Sequence, residues 1–229
     1  MSKKICSIII TLLISTSLAG CINIKGNDKE KDINSKTKTE QKSENLEGSW
    51  AKNYSLDQTK SFFNSYLYKM EQITKELELD YSKEDVVKEE KDQIINTKSI
   101  YFDNKDPQAN KMESMYFGMK IFDEDLSSGE IELKLSLKFD SKGAIENGDF
   151  DLGKTSFKRY IETFTGKIDR DYSSINKQII DRLKNGESEF IIEDNIDGLK
   201  EEIMVNKEYI IYKLATKKYD FKNPDMIVE

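Results

Sequence analysis

The stretch EIELKLSLKFD, residues 130 to 140, alternates apolar and polar side chains over its whole length. One alternation is apolar: Ile131, Leu133, Leu135, Leu137 and Phe139. The other is polar: Glu132, Lys134, Ser136 and Lys138. Because successive side chains of a strand point to opposite faces, this pattern predicts a strand with one packed face and one wet face. Such strands are typical of antiparallel sheets with one open face.

The preceding sequence predicts a helix and two further strands. Apolar residues recur at steps of three and four between residues 56 and 77, which indicates an amphipathic helix. Ser55 and Gln58, three residues later, have the pattern of a capping box at the start of this helix. Strands are predicted at 99–103 and 114–123, and EDLSSG (124–129) is the expected hairpin loop. Residues 82–95 are highly charged, and the pattern leaves open a solvated helix or a polar edge strand.

The same order recurs after DSKG (140–143), which predicts a turn. Helical spacing covers residues 157–164 and 172–183, with Gly166 as an interruption between them and Asn185-Gly186 as a stop. Strands are predicted at 189–193, 200–205 and 208–217. We therefore predict an α+β fold in which helices pack on an antiparallel sheet. The order is compatible with a tandem α-β-β-β repeat with halves 49–150 and 151–229, although the halves share no evident residue identity.

The first twenty residues have the layout of a secretory signal. Lys3 and Lys4 precede an apolar run from Ile5 to Ile14, which is too short to span a bilayer comfortably, and small or polar residues follow it. LAGC (18–21) resembles the lipobox of bacterial lipoproteins. This resemblance implies that residues 1–20 are removed and that Cys21 carries a diacylglyceryl group on its sulfur. The alternatives are an ordinary cleaved signal that leaves Cys21 as a free thiol and an uncleaved apolar anchor.

Residues 22–48 are almost entirely polar, with lysines and acidic residues mixed. Such a segment cannot bury enough surface to offset the entropy of ordering, so we expect a disordered tether behind the lipidated Cys21. The composition changes from Ser49 onward, and the single tryptophan, Trp50, stands at this boundary. We expect Trp50 to pack the start of the globular region, residues 49–229, onto its core, with an exposed ligand-stacking ring as the alternative.

Composition excludes several kinds of chemistry. The chain has no histidine and only two cysteines, Cys6 and Cys21, so His-based nucleophile designs and the usual zinc sites have no support. Glycine-rich nucleotide-binding loops are absent from the sequence. A net charge of −7 argues against a nucleic-acid role. We expect no cofactor and no enzymatic activity.

Two acidic turns are weak candidates for other activities. DEDLSSGE (123–130) and ENGDFD (146–151) could supply oxygen ligands to Ca²⁺, but the first departs from the EF-hand pattern because Ser128 stands where that loop has glycine. Acidic turns are expected by chance in a chain of which 34% is charged. We therefore predict no metal site.

Tyrosines are the more suggestive feature. Five of them fall on or near predicted strands and are candidates for a partner-binding sheet face: Tyr101, Tyr116, Tyr209, Tyr212 and Tyr219. The alternative is that they are ordinary strand residues at the edge of the core. The sequence thus favours a lipid-anchored extracytoplasmic binding module, an adaptor or inhibitor with a protein partner in the cell envelope. A small-ligand receptor of a transport system and a carboxylate-dependent cell-wall hydrolase are the alternatives.

Overall fold

Four helices and eight strands form the part of the chain that the structure, a computed structural model, describes: residues 46–90 and 93–221. The signal segment, Cys21 and nearly all of the predicted tether lie outside these residues. The first half contains α1 (Leu56–Glu76), β1 (Ser82–Glu90), β2 (Gln93–Asp103), β3 (Met112–Phe122) and β4 (Ser128–Lys138). The second contains α2 (Ser141–Asn147), α3 (Phe157–Thr165), α4 (Ser173–Lys184), β5 (Glu189–Ile196), β6 (Leu199–Asn206), β7 (Tyr209–Ala215) and the short β8 (Tyr219–Asp220).

All strand pairs are antiparallel, and they form one sheet in the order β1-β2-β3-β4-β7-β6-β5, with β8 beside the start of β4. Each half is a meander of strands joined by local turns. The last strand of each meander, β4 and β7, pairs with the other at the centre of the sheet. The predicted α+β class, with helices packed on an antiparallel sheet, is therefore confirmed.

One open alternative is settled by the structure, and one local prediction is wrong. For residues 82–95 helix and strand were both open. Of these, Ser82–Glu90 form β1 and residues 93–95 begin β2, so the first half has four strands where three were predicted. The predicted turn at 140–143 is the beginning of α2, because the Asp140 carboxylate accepts a hydrogen bond from the Gly143 amide (2.9 Å) and caps the helix. Asp and Ser favour turns and helix N-termini by the same short-range hydrogen bonds, which explains the confusion.

Helix boundaries follow the predicted local chemistry. Ser55 Oγ accepts from the Gln58 amide (3.3 Å), and Gln58 Oε1 accepts from the Ser55 amide (2.9 Å), which completes the capping box of α1. Gly166 ends α3 in the left-handed region (φ 69°), where a glycine carries no steric penalty.

The core lies between the helices and one face of the sheet. Phe63 of α1 stacks on Phe117 of β3, and Phe164 of α3 meets the same ring edge-on, each at 5.3 Å between ring centroids. Trp50 is buried against Phe164, and its amide donates to the Asp197 carbonyl (2.9 Å) in the β5–β6 turn. Trp50 therefore anchors the start of the globular region, as predicted.

Candidate functional site

The sheet has a second face, opposite to the helices, which we call the open face. On β4 the helix-facing residues Leu133, Leu135 and Leu137 are fully buried, whereas Lys134 and Lys138, which point the other way, are exposed. The same alternation continues through β7 and β6. The polar alternation predicted for residues 130–140 therefore lies on the open face, and the exposed alternations of the neighbouring strands continue that face.

Two of the predicted tyrosines lie side by side on the open face. Tyr101 of β2 and Tyr116 of β3 are direct cross-strand partners, and Tyr101 is 39% exposed. The half-buried Tyr116 ring lies over Gly118, where a Cβ would overlap the hydroxyl and the ring. Burial, followed by the charge of the nearby Glu132, raises the pKa of Tyr116, so its phenol stays neutral at physiological pH. The pair offers a neutral aromatic contact surface.

A lysine cluster stands at the centre of the open face. Glu132 is only 5% exposed although it belongs to the polar alternation of β4. Three ammonium groups contact its carboxylate: Lys134 at 3.0 Å, Lys213 at 3.6 Å and Lys120 at 3.9 Å. Lys120 also lies 3.8 Å from Glu130. In these contacts three lysines meet two carboxylates, and Glu202, the cross-strand partner of Lys213, lies on the far side of the cluster.

Apolar side chains form a cross-strand row next to the lysines. Ile211 of β7 pairs with Met204 of β6, which pairs with Ile191 of β5. Ile191 is 42% exposed, and the other two are half-buried. This row was not among the predicted site residues, because each of its members has apolar immediate neighbours. The signal that could have found it is the charged residue two positions away in the same alternation: Glu193, Glu202 and Lys213.

Tyr209, a predicted site residue, lines a groove of about 450 Å³ at one end of the open face. The groove is bordered by Pro107, Glu113, Lys138, Phe139, Lys207 and Glu208. Four of these six residues are charged, Glu113, Lys138, Lys207 and Glu208, so the groove is bordered by charges of both signs.

Tyr212 and Tyr219 do not belong to the open face. Both are fully buried, because they lie in the alternation that faces the helices or the chain entry. The Tyr212 hydroxyl donates to the Glu201 carboxylate, and the Tyr219 hydroxyl donates to the Trp50 carbonyl (3.0 Å). Neither side chain is accessible to a partner, and the prediction that they line an exposed face is wrong.

A second, polar cleft of about 260 Å³ lies on the helical side, beside the start of α4. Asp151 and Asp171 line it together with Lys158 and Arg170. Hydrogen bonds donated by the backbone and side chain of Ser173 lower the pKa of Asp171, which is the opposite of what a general acid requires. Asp171 is therefore unsuited to the general-acid role that a carboxylate-dependent hydrolase needs.

The acidic turns form no metal site among the described residues, where no group of three or more His, Cys, Asp or Glu side chains could hold an ion. In the first turn the Asp123 carboxylate accepts from Gln93 (2.8 Å) and from the Ser127 hydroxyl (3.1 Å). Its role there is to hold the β3–β4 loop.

Comparison of the chain with models of known families, with curated proteins and with solved structures gave no match. In residues 46–90 and 93–221, no helix has the length and apolar character to cross a membrane. Cys21, the predicted lipid attachment site, lies outside the described residues, and its role stays a prediction.

Proposed function

We propose that this protein is a lipoprotein held at the extracytoplasmic face of the cell membrane through Cys21, and that it works as a protein-binding accessory module of the envelope. An adaptor or an inhibitor of an envelope complex fits this description. The lipobox and the polar tether support the anchoring. The open face supports the binding.

The open face carries the binding proposal because it combines accessible aromatic and aliphatic side chains with an uneven distribution of charge. Tyr101, Tyr116 and the apolar row of Ile191, Met204 and Ile211 supply the kind of contact area that is typical of interface centres. The lysines around Glu132 add a positive patch suited to carboxylates of a partner. Scattered exposed apolar residues are ordinary, but a contiguous apolar row on the same sheet face as a pair of tyrosines indicates an interaction site.

A photoreactive amino acid at position 211 of the full-length protein in living cells tests this proposal. We expect a covalent protein adduct from position 211 and none from position 168, which is 79% exposed but lies in the loop between α3 and α4. Met204→Asp should abolish the adduct, because it places a charge in the apolar row. Tyr68→Asp on the exposed side of α1 is the matched control and should leave the adduct intact. Equal yields from positions 211 and 168 would contradict the proposal.

A further inference from the structure

In three neighbouring rows of the open face, charges of opposite sign lie on different strands. Three parallel rows of side chains cross β4, β7, β6 and β5, as the strand registers place them. The first row is Lys134, Lys213, Glu202 and Glu193, and the second is Ser136, Ile211, Met204 and Ile191. The third is Lys138, Tyr209, Asn206 and Glu189, in which Tyr209 and Asn206 flank the β6–β7 turn and the Tyr209 amide donates to Asn206 Oδ1 (2.9 Å). Within these rows the cations lie on β4 and β7 and the carboxylates on β6 and β5, with the apolar row between them. The next row, Glu132, Ala215, Lys200 and Asn195, has the opposite polarity, with its acid on β4 and its lysine on β6.

This arrangement is self-complementary. In an isologous contact a residue i of the first copy meets a residue j of the second, and residue j of the first copy meets residue i of the second. A twofold axis parallel to the strands, placed between β6 and β7, sets β4 of one copy against β5 of the other and β7 against β6. Lys138 then faces Glu189 of the second copy, and Lys134 faces Glu193.

The remaining contacts also match. Lys213 faces Glu202 of the second copy, and Ile211 faces Met204, so the apolar rows cover each other. A twofold axis perpendicular to the strands would instead set Lys134 against Lys138. Like charges in an interface are costly, so the charge pattern selects the first axis. Packed sheets keep their strand directions within about 30° of each other, which preserves these pairings close to the axis.

We propose that the partner of the open face is a second copy of this chain, docked face to face about a twofold axis that runs between β6 and β7. This inference rests on the proposed binding role of the open face and names its occupant. Four strands at about 4.8 Å spacing give a contact about 19 Å wide, which is small for a stable dimer, so the association is weak and depends on concentration. Anchoring both copies on one membrane raises their effective concentration.

Cysteine pairs in the full-length protein, assayed in isolated membranes, test the arrangement directly. Lys138 and Glu189 lie three strands apart in one copy, about 14 Å, which is too far for a disulfide within the chain. Across the proposed axis the same two positions face each other. Facing sheets lie about 10 Å apart, which is beyond the Cα separation of a disulfide, so a short bismaleimide joins the facing thiols. We expect Lys138→Cys/Glu189→Cys and Lys134→Cys/Glu193→Cys to give covalent dimers with this reagent, and each single variant to give none.

The mismatched pair Lys138→Cys/Glu193→Cys is the control, because Glu193 lies four residues along β5 from the matched position Glu189, about 13 Å away.

Charge reversal adds a test without cysteines: Lys138→Glu should lower the photo-dimer yield from position 211 several-fold, and Lys138→Glu/Glu189→Lys should restore it. Failure of both matched pairs to cross-link, or equal cross-linking of the mismatched pair, would overturn the proposal.

The mass of the adduct from position 211 separates this inference from the proposed function. An adduct of twice the chain mass supports both. An adduct with a different envelope protein that Met204→Asp abolishes leaves the proposed function standing and overturns the self-association. The absence of any protein adduct overturns both.

Discussion

The hydroxyl of Tyr212 and the carboxylate of Glu201 meet in the core, between the sheet and the helices of the second half. Arg170 donates to both, at 2.9 Å to the Tyr212 oxygen and at 2.7 Å to Glu201 Oε2. Burial, and then the charge of Glu201, raises the pKa of Tyr212, so the phenol remains a hydrogen-bond donor at any physiological pH. A residue that the sequence presents as a surface tyrosine is therefore part of a buried polar network.

Tyr212→Phe should lower the free energy of unfolding by about 1 to 2 kcal/mol, because it removes one donor from a buried carboxylate. Urea unfolding of the purified protein measures this loss. Tyr209→Phe on the open face is the matched control and should change stability by less than about 0.5 kcal/mol. Similar effects of the two variants would contradict the assignment of Tyr212 to the core.

Arg170→Met should be the more damaging change, with a loss of about 3 to 5 kcal/mol, because it leaves the Glu201 charge buried without its bidentate partner. The double variant Arg170→Met/Glu201→Met removes both charges and should recover most of that loss. Urea unfolding of both variants measures the difference. A double variant less stable than Arg170→Met would contradict this account, because it would show that Glu201 stabilises the fold without Arg170.

Glu71 should make stability depend on acid pH. Hydrogen bonds from Lys83 (2.5 Å) and from the Tyr81 hydroxyl (2.6 Å) lower the pKa of Glu71 to about 2. A lowered carboxyl pKa contributes stability that is present above the unfolded-state value of about 4.5 and is lost as the pH falls towards 2. Glu71→Gln should thus cost about 1 kcal/mol at pH 7 and much less near pH 2. Denaturant titrations across this range provide the measurement, with Lys83→Met expected to reproduce part of the effect. A pH-independent difference would argue against the ion pair.

Gly118 should tolerate no side chain while the Tyr116 ring lies over it. Gly118→Ala introduces a Cβ that overlaps the ring, with an expected cost of about 1 to 3 kcal/mol. Tyr116→Ala/Gly118→Ala should cost less than the sum of the two single variants, because the overlap is then absent. A double-mutant cycle by thermal unfolding measures this coupling, and strict additivity would show that the ring moves aside freely.

Cys21→Ser should abolish lipid labelling and leave the precursor unprocessed or released from the membrane. Metabolic labelling with a fatty acid, combined with membrane fractionation, checks the result. A Cys21→Ser protein of mature size that still partitions into membranes would contradict the lipobox assignment.

Much of the fold could be predicted from local pattern. The capping box at Ser55, the alternation of residues 130–140 and the stop at Gly166 each depend on neighbours within a few residues, so the sequence carries them directly. The secondary structure of the charged residues 82–95 could not be predicted, because an edge strand has little apolar periodicity. Only the pairing of β1 with β2 identifies β1 as a strand.

The sequence by itself determined the α+β class, the polar face of β4 and the absence of histidine-based chemistry. Only the tertiary structure decided which tyrosine and which isoleucine of YIIYK (209–213) are exposed, because each alternation holds one of each, Lys213 alone distinguishes them, and the helices cover just one face. That choice buries Tyr212, leaves Ile211 accessible and aligns the lysines of β4 and β7 with the carboxylates of β6 and β5. Pairing between strands that are distant in the chain creates this surface, and residue spacing alone cannot encode such pairing.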